Sequence, residues 1–587
     1  MARLLAERRV TETYSKGRVT AIDLTANPVL FTVSTGNGSR RMPMLNPAAL
    51  GDVVLFVDLG VEAFGFGTFH PGPGGGGTVP PVASGLVAFR SHALQAPVGP
   101  VGTLQALGYT GTLPITRADL DGILDAWVAS HGGTIRNVTD AGASLSAALT
   151  AAVPGDLIRF VNTITSQMIA RANRNSVPGA NMANGTAGLP IIFTSADGVR
   201  VNVASITTTE GAFNVYHASH VWCVGLNTTG STFGVRFMNC AGTAANPIRI
   251  AWCDVLETGD AGLVAQGWFQ TLAASGGTPS GSAGDEWGFS DYVVIEENTV
   301  TRPGRRDPNI GECCYLGYGS SGGWIGRAQN VWVRYNRFRE CTSDYTDVKP
   351  GCRRVYVHDN EESGGAFASG AANQALYVSA DLSVRPAWYN FDPEIFYVGN
   401  RSWDGNLSHS QTGSSNYFVQ ASLAGVRVAY NAAWGFASGG IGVHLRSERA
   451  ASESQVAGEK WWIWNNLFWL GIGVYNGGAP QFTPAAFNTA WVDSRNNIGG
   501  PTTTGIQFVA TADDFVEPSH IPIIGSVSAD ARWGSMAQGS AFDLAATSAL
   551  LGAGDDAVFG YDGYIAQDIA RRAIPSSGVS PGPYMPS

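Results

Sequence analysis

The sequence predicts an all-β protein: a right-handed parallel β-helix with a helical N-terminal cap, preceded by a small OB-like β-barrel module. Three observations predict it. The first is a phrase, apolar-x-apolar-x-x-Asn, that occurs seven times, at 293–298, 331–336, 355–360, 395–400, 426–431, 461–466 and 492–497, with the middle apolar slot weakened to Ser494 in the last. Two upstream segments fit the frame with other residues in the Asn slot, Val221, Cys223 and Leu226 in one and Ile248, Ile250 and Cys253 in the other, which makes nine candidate rungs. Apolar positions two apart send both side chains to one face of a strand, and Asn is a turn former, so each phrase reads as a short strand ending in a bend. Successive copies start 24 to 45 residues apart, the range of a solenoid whose coils carry insertions of variable length. Stacked coils would set the Asn residues in a ladder, each amide bonding the next.

The second observation is composition. Only 14% of the 587 residues are charged, against a usual share of about 25%, and the 75 glycines are a little under twice the average share, which suits many short strands and tight turns. The third is the sparseness of hairpin signals such as Asn-Gly, which a β-sandwich would need. Length alone suggests several domains, yet a solenoid grows by adding coils and need not split. The formal net charge of −10 argues against nucleic acid as a ligand, because phosphate contacts require a basic surface.

In chain order, residues 1–70 read as a small all-β attachment module with strand-like runs at 18–24, 29–33 and 52–58 and a hairpin signal at 36–39. The run 71–77, followed by Pro80 and Pro81, reads as a Gly/Pro linker, and 71–133 as linker plus helical segment. Thr116 is placed to cap a helix over 116–130, closed by Gly132 and Gly133, and a second short helix is expected over 144–152. An amphipathic helix just before a solenoid reads as a cap over its open apolar end. The β-helix is expected over 134–508 and a closing segment with a Pro/Gly/Ser tail over 509–587. Seven cysteines, at 223, 240, 253, 313, 314, 341 and 352, show no CxxC pair or zinc spacing and read as small core residues. The start lacks the apolar stretch of a secretory signal and no segment approaches a membrane span, so synthesis in a cytoplasm without export or a membrane span is expected.

Particular residues carry a resemblance. The run 144–158, which contains Leu149, Ala151, Ala152, Pro154, Gly155, Asp156 and Ile158, followed by Gly185, Thr186, Pro190, Ile191 and Ile192, resembles the opening of right-handed β-helix polysaccharide lyases of the chondroitinase B and alginate lyase type. A second such phrase stands at 242–250, and 542–562 resembles the closing segment of that group. Preceded by a β-module and a linker, and without an export signal, the arrangement is similar to a bacteriophage tailspike or minor tail protein. That resemblance implies a virion protein attached to other tail proteins through its N-terminal module. It also implies a homotrimer and a host surface polysaccharide as the ligand.

The candidate chemistry lies between Asn336 and Asn360. If Val348 points into the core, Asp347 and Lys349 project from one outer face, with Asp344 at the preceding turn. This resembles the acid-rich segment followed by Lys in β-helix lyases. The resemblance implies a Ca²⁺ held by Asp344 and Asp347 against a uronate carboxylate, and Lys349 as the base of a β-elimination. Pro350 and Gly351 depart from that pattern, and no second acidic pair stands out. An ordinary surface ion pair of Asp347 with Lys349 is the competing reading. Aligning later coils to Val348 gives an outward stripe of Tyr377, Ser379, Gln420, His444, Arg446 and Tyr475, with Glu312 and Tyr315 one coil earlier. His444 and Arg446 are candidate catalytic groups, and the others, with Trp388 and Trp403 from expected loop insertions, candidate sugar contacts. Carboxylate pairs from such loops would alternatively serve glycoside hydrolysis, and a structural tail component without catalytic activity is the third reading.

Overall fold

The computed structural model describes, with side chains, residues 99–111, 115–166, 182–206, 211–267, 290–306, 311–317, 328–349, 352–362 and 394–400 and core positions of the later coils; further strands are described as backbone. The chain divides into two units, Met1–Ala93 and Leu94–Ser587. In the first, β1 (Thr13–Asp23), β2 (Leu30–Thr35), β3 (Gly38–Pro43), β4 (Val53–Asp58) and β5 (Ala63–Phe69) form an antiparallel sheet in the order β3-β2-β1-β4-β5. The long β1 pairs with β4 through its first half and with β2 through its second, and its register shifts between Val19 and Ala21. A first strand shared in this way, with a register shift that raises its twist, gives the five-stranded antiparallel module that the sequence predicts.

In the second unit every phrase of the repeat is a strand of one parallel sheet, hereafter the first sheet, which runs from Ile135–Val138 to Val492–Arg495. From Ile191–Ser195 to Trp461–Trp464 each coil also contributes a strand to a second sheet and a strand to a third, both of 11 strands. One coil shows the circuit: Phe289–Glu296 in the first sheet, Thr299–Thr301 in the second, Cys314–Leu316 in the third, and then Ile325–Arg334 back in the first. Three parallel sheets visited in turn make a parallel β-helix, right-handed as crossover connections between parallel strands require. The inward residues of the repeat, among them Val293, Ile295, Val331, Val333, Val355 and Val357, form one continuous core. All seven cysteines are free and lie in that core.

The Asn ladder forms as expected. Nδ2 of Asn298, Asn336, Asn360, Asn400, Asn431 and Asn466 each donates to Oδ1 of the next Asn, at 2.9–3.2 Å, through to Asn497. The second amide hydrogen goes back one coil, as from Asn360 Nδ2 to the Val333 carbonyl at 2.9 Å. The bend itself is made by the residue before the Asn. Glu297, Tyr335 and Asp359, and Trp252 before the equivalent Cys253, hold a left-handed backbone there with φ of 54–57°, with glycine at 225, before Leu226, and at 399.

Helices α1 (Thr103–Ala106) and α2 (Arg117–Ser130) precede the first strand of the solenoid, and α3 (Ala143–Ala151) lies between its first two strands. Thr116 caps α2 through a full capping box with Asp119. The cap role divides differently from the expectation. Leu145, Ala148 and Leu149 of α3 join the main core and cover its end. Leu120, Leu124, Trp127 and Val128 of α2 instead pack on Leu157, Ile192, Trp222 and Val224, the outward residues of the first sheet. The longer helix therefore covers a flank of the solenoid.

A strap leading into α1 is fastened to that flank. Glu296 lies between Arg334, whose Nε donates to it at 2.7 Å, and Arg249 at 3.3 Å, and it accepts from the backbone N–H and hydroxyl of Thr103. Arg249 and Arg334 also donate to the carbonyls of Val101 and Pro100 at 2.9 and 2.8 Å. Burial pushes the Glu296 carboxyl up, but the two guanidiniums outweigh it and hold it down at about 2. Because that value lies below the ordinary one, the contribution of Glu296 is complete above pH 4.5 and lost as the pH falls towards 2. Glu296→Gln is expected to cost about 3–5 kcal/mol at neutral pH, the range for breaking a buried ion pair from one side. It should also flatten the acid limb of stability, read by urea unfolding at pH 7 and pH 3.

Candidate active site

The site is built on two neighbouring strands of the third sheet, Cys314–Leu316 and Asp344–Val348, whose residues pair as Cys314 with Thr346, Tyr315 with Asp347 and Leu316 with Val348. Leu316 and Val348 face the core. Tyr315 and Asp347, one residue earlier, therefore stand opposite each other on the outer face, and Lys349 follows on that face. Asp344 is the first residue of its strand rather than part of the preceding turn. The Cys313 N–H donates to the Asp344 carbonyl at 3.1 Å, which brings Glu312 and Asp344 together at the head of the two strands.

The result is a buried cluster. Carboxylate oxygens of Glu312, Asp344 and Asp347 lie within 4.8 Å of one another. All three residues are buried, Asp347 to 1% exposure. Lys349 Nζ lies 2.5 Å from Asp347 Oδ2 and 5.1 Å from the centre of the Tyr315 ring. Among the described residues, Asp347 Oδ1 accepts no hydrogen bond. Burial, then the Asp347 charge, pushes Glu312 up to about 8. Burial, then Asp347 and Glu312, pushes Asp344 well above the carboxylate range, and burial also raises Asp347, against which Lys349 acts. Burial works against the Lys349 charge, but Asp347, Tyr315 and Glu312 outweigh it and hold the ammonium well above its ordinary value. Burial thus raises all three carboxyls, and at Asp347 the Lys349 ammonium works against it. This burial removes the reading of Asp347 and Lys349 as an ordinary surface pair, since their side chains are 1% and 19% exposed.

Glu312 is the residue whose role the sequence reading missed. It was expected one coil away as a sugar contact, and it is the third carboxylate of the cluster. A signal was present: Glu312 and Asp344 each stand four residues before the core residues Leu316 and Val348. The insertion after Thr301 hides that equivalence when coils are aligned from the first sheet.

The outward stripe keeps its register. Asp347 pairs with Tyr377, Tyr377 with Gln420 and Gln420 with His444, and Arg446 pairs with Tyr475. Three strand steps of about 4.8 Å separate His444 from Asp347, roughly 14 Å. The strand pairing therefore sets His444 and Arg446 several coils along the stripe from Lys349 rather than beside it. Trp403, expected in a loop, ends the strand Arg401–Trp403 of the second sheet, paired with Ser363 and Trp434. Ser379 and Trp388 lie outside the described residues.

No protein-family model and no curated protein matches the chain. Among solved structures it is similar to a pectate lyase, Pel9A, at 13% identity over 77% of this chain and 96% of that one, with a TM-score of 0.42. It is also similar to an alginate lyase from Paenibacillus sp. str. FPU-7, at 17% identity over 64% and 99%, with a TM-score of 0.37. A tailspike protein of E. coli bacteriophage HK620, solved in complex with a hexasaccharide, matches at 12% identity over 67% and 62%, with a TM-score of 0.35. Likenesses of this grade carry no argument about activity, and the fold rests on the strand pairing described above. No described helix is long and apolar enough to cross a membrane.

Proposed function

We propose that the chain is a phage tail protein of the tailspike kind, whose β-helix binds an acidic host-surface polysaccharide and cleaves it at Glu312, Asp344, Asp347 and Lys349. The observation that carries the cleavage reading is the buried cluster of three carboxylates and one ammonium on two neighbouring strands of the third sheet. The division into a five-stranded unit and a solenoid supports the attachment half of the reading, in which the first unit docks to other tail proteins, and the tailspike resemblance adds a homotrimer to it.

The donor set fits a divalent cation. Two oxygens on one Ca²⁺, each at about 2.3–2.6 Å, lie no more than about 5.2 Å apart, and the cluster's oxygens meet that limit. Charge agrees, because three ionised carboxylates and Lys349 leave two negative charges that one divalent ion balances. Elimination is the preferred chemistry because the cluster sets an ammonium beside carboxylates that can share one cation, the groups that a uronate needs.

Glu312, Asp344 and Asp347 would hold the ion, which when bound supplies positive charge against a uronate carboxylate and acidifies the C5 proton. The ion would offset the Asp347 and Glu312 charges that hold the Lys349 proton; once that proton is given to solvent, the Lys349 amine would be the group placed to take the proton from C5. The electron pair forms the C4–C5 double bond as the C4–O bond breaks, and the leaving oxygen takes a proton from solvent.

The test is to digest a panel of uronate polymers with the full-length chain in calcium and identify the products by mass spectrometry. An unsaturated uronate at the new non-reducing end is expected. New reducing ends without unsaturation would instead make Glu312, largely protonated at neutral pH, the acid of a hydrolysis. Binding without any cleavage would overturn the enzymatic half of the reading.

A further inference from the structure

We propose that Tyr315 is a positioning residue, whose ring face holds the Lys349 amine on Asp347 and keeps it from the other two carboxylates. The inference rests on the elimination reading above for its meaning in turnover, but not for its geometry. A lysine side chain has a flexible four-carbon stem, and three acidic groups within 4.8 Å of one another offer its ammonium competing partners. Lys349 is nevertheless found against Asp347 Oδ2 at 2.5 Å. The Tyr315 ring also meets it, 5.1 Å from Nζ to the centroid and within the about 6 Å reach of a cation–π contact.

Register explains why the two contacts act together. Tyr315 opposes Asp347 directly across the strand pair, so ring and carboxylate meet the amine from adjacent strands. Tyr315 also differs from the acids in exposure: it is partly open, while Glu312, Asp344 and Asp347 are buried. A ring at the mouth of the cluster is placed to hold the amine towards an incoming sugar, whereas a lysine fixed only by charge would turn with whichever acid is ionised.

Two variants separate the ring from the hydroxyl: Tyr315→Leu removes the π face at similar bulk, and Tyr315→Phe keeps it. In the full-length chain, free of substrate and metal, the rate at which acetic anhydride labels Lys349 is read by peptide mass spectrometry. A rise of about 3- to 30-fold is expected for Tyr315→Leu, the range a partly desolvated cation–π contact supports, with Tyr315→Phe restoring the parent rate. On a uronate polymer the same pair should show kcat lowered in Leu and rescued in Phe, with KM little changed. Parent-like labelling in Tyr315→Leu would overturn the proposal, and so would a Phe variant that behaves like Leu, because the hydroxyl would then be the active part. If the parent cleaves no polymer, the labelling result still judges Tyr315, so failure of the functional reading and failure of this one are told apart.

Discussion

Replacing Asn360 with leucine is expected to destabilise the solenoid by roughly 3–5 kcal/mol, because it strands several buried polar groups at once. Asn360 Oδ1 accepts from the N–H and the side chain of Asn336, at 3.0 and 2.9 Å. Its Nδ2 donates to Asn400 Oδ1 and to the Val333 carbonyl, both at 2.9 Å. Leucine leaves the Asn336 N–H, one Asn336 amide hydrogen and the Val333 carbonyl without partners in a position of 0% exposure. Each such orphan costs about 1–3 kcal/mol, reduced where the coils can relax. Since coils contact only their neighbours, the loss should be local. Hydrogen exchange should rise first in the coils around Asn336 and Asn400. Urea unfolding followed by circular dichroism measures the total, and a loss below 1 kcal/mol would show that the ladder decorates the turn without supporting it.

Lys349→Ala is expected to lower turnover on a uronate polymer by about 10²–10⁴-fold, the contribution of a positioned general base. The fold should survive, because a carboxyl relieved of its ammonium partner can take up a proton rather than remain a buried charge. Glycan affinity should change little, since one amine leaves the rest of the outer face intact. The measurement is kcat beside a direct binding constant, and undiminished kcat would remove Lys349 as the base.

How much of this was legible in the chain differs from element to element. The Asn phrase specified the first sheet, its core face and the ladder, because a side chain that must bond its own copy one coil away leaves a residue type that repeats. The bend before each Asn was less legible, since Trp252, Glu297, Tyr335 and Asp359 share a backbone angle and no chemistry. Helix α2 was read as an end cap, and an apolar helix face does not say whether an open end or a flank will receive it. The deciding residues, Trp222 and Val224, are outward positions of a strand. Likewise the Arg249–Glu296–Arg334 clamp joins the strap to residues up to 234 positions away, beyond any local pattern. At the site, two-residue alternation alone put Asp347 and Lys349 on one face, whereas Glu312 arrives from another coil across an insertion that alternation cannot bridge.

The claim on which this account turns is that Glu312, Asp344 and Asp347 form a divalent-cation site. Calorimetric titration of Ca²⁺ into the full-length protein tests it without any substrate, beside Asp347→Asn and Asp344→Asn. One calcium is expected to bind per chain at neutral pH, with release of protons from the acid cluster, and that binding is expected to be lost in both variants. Calcium binding that is absent from the parent, or that persists unchanged when Asp347 and Asp344 are replaced, would contradict it.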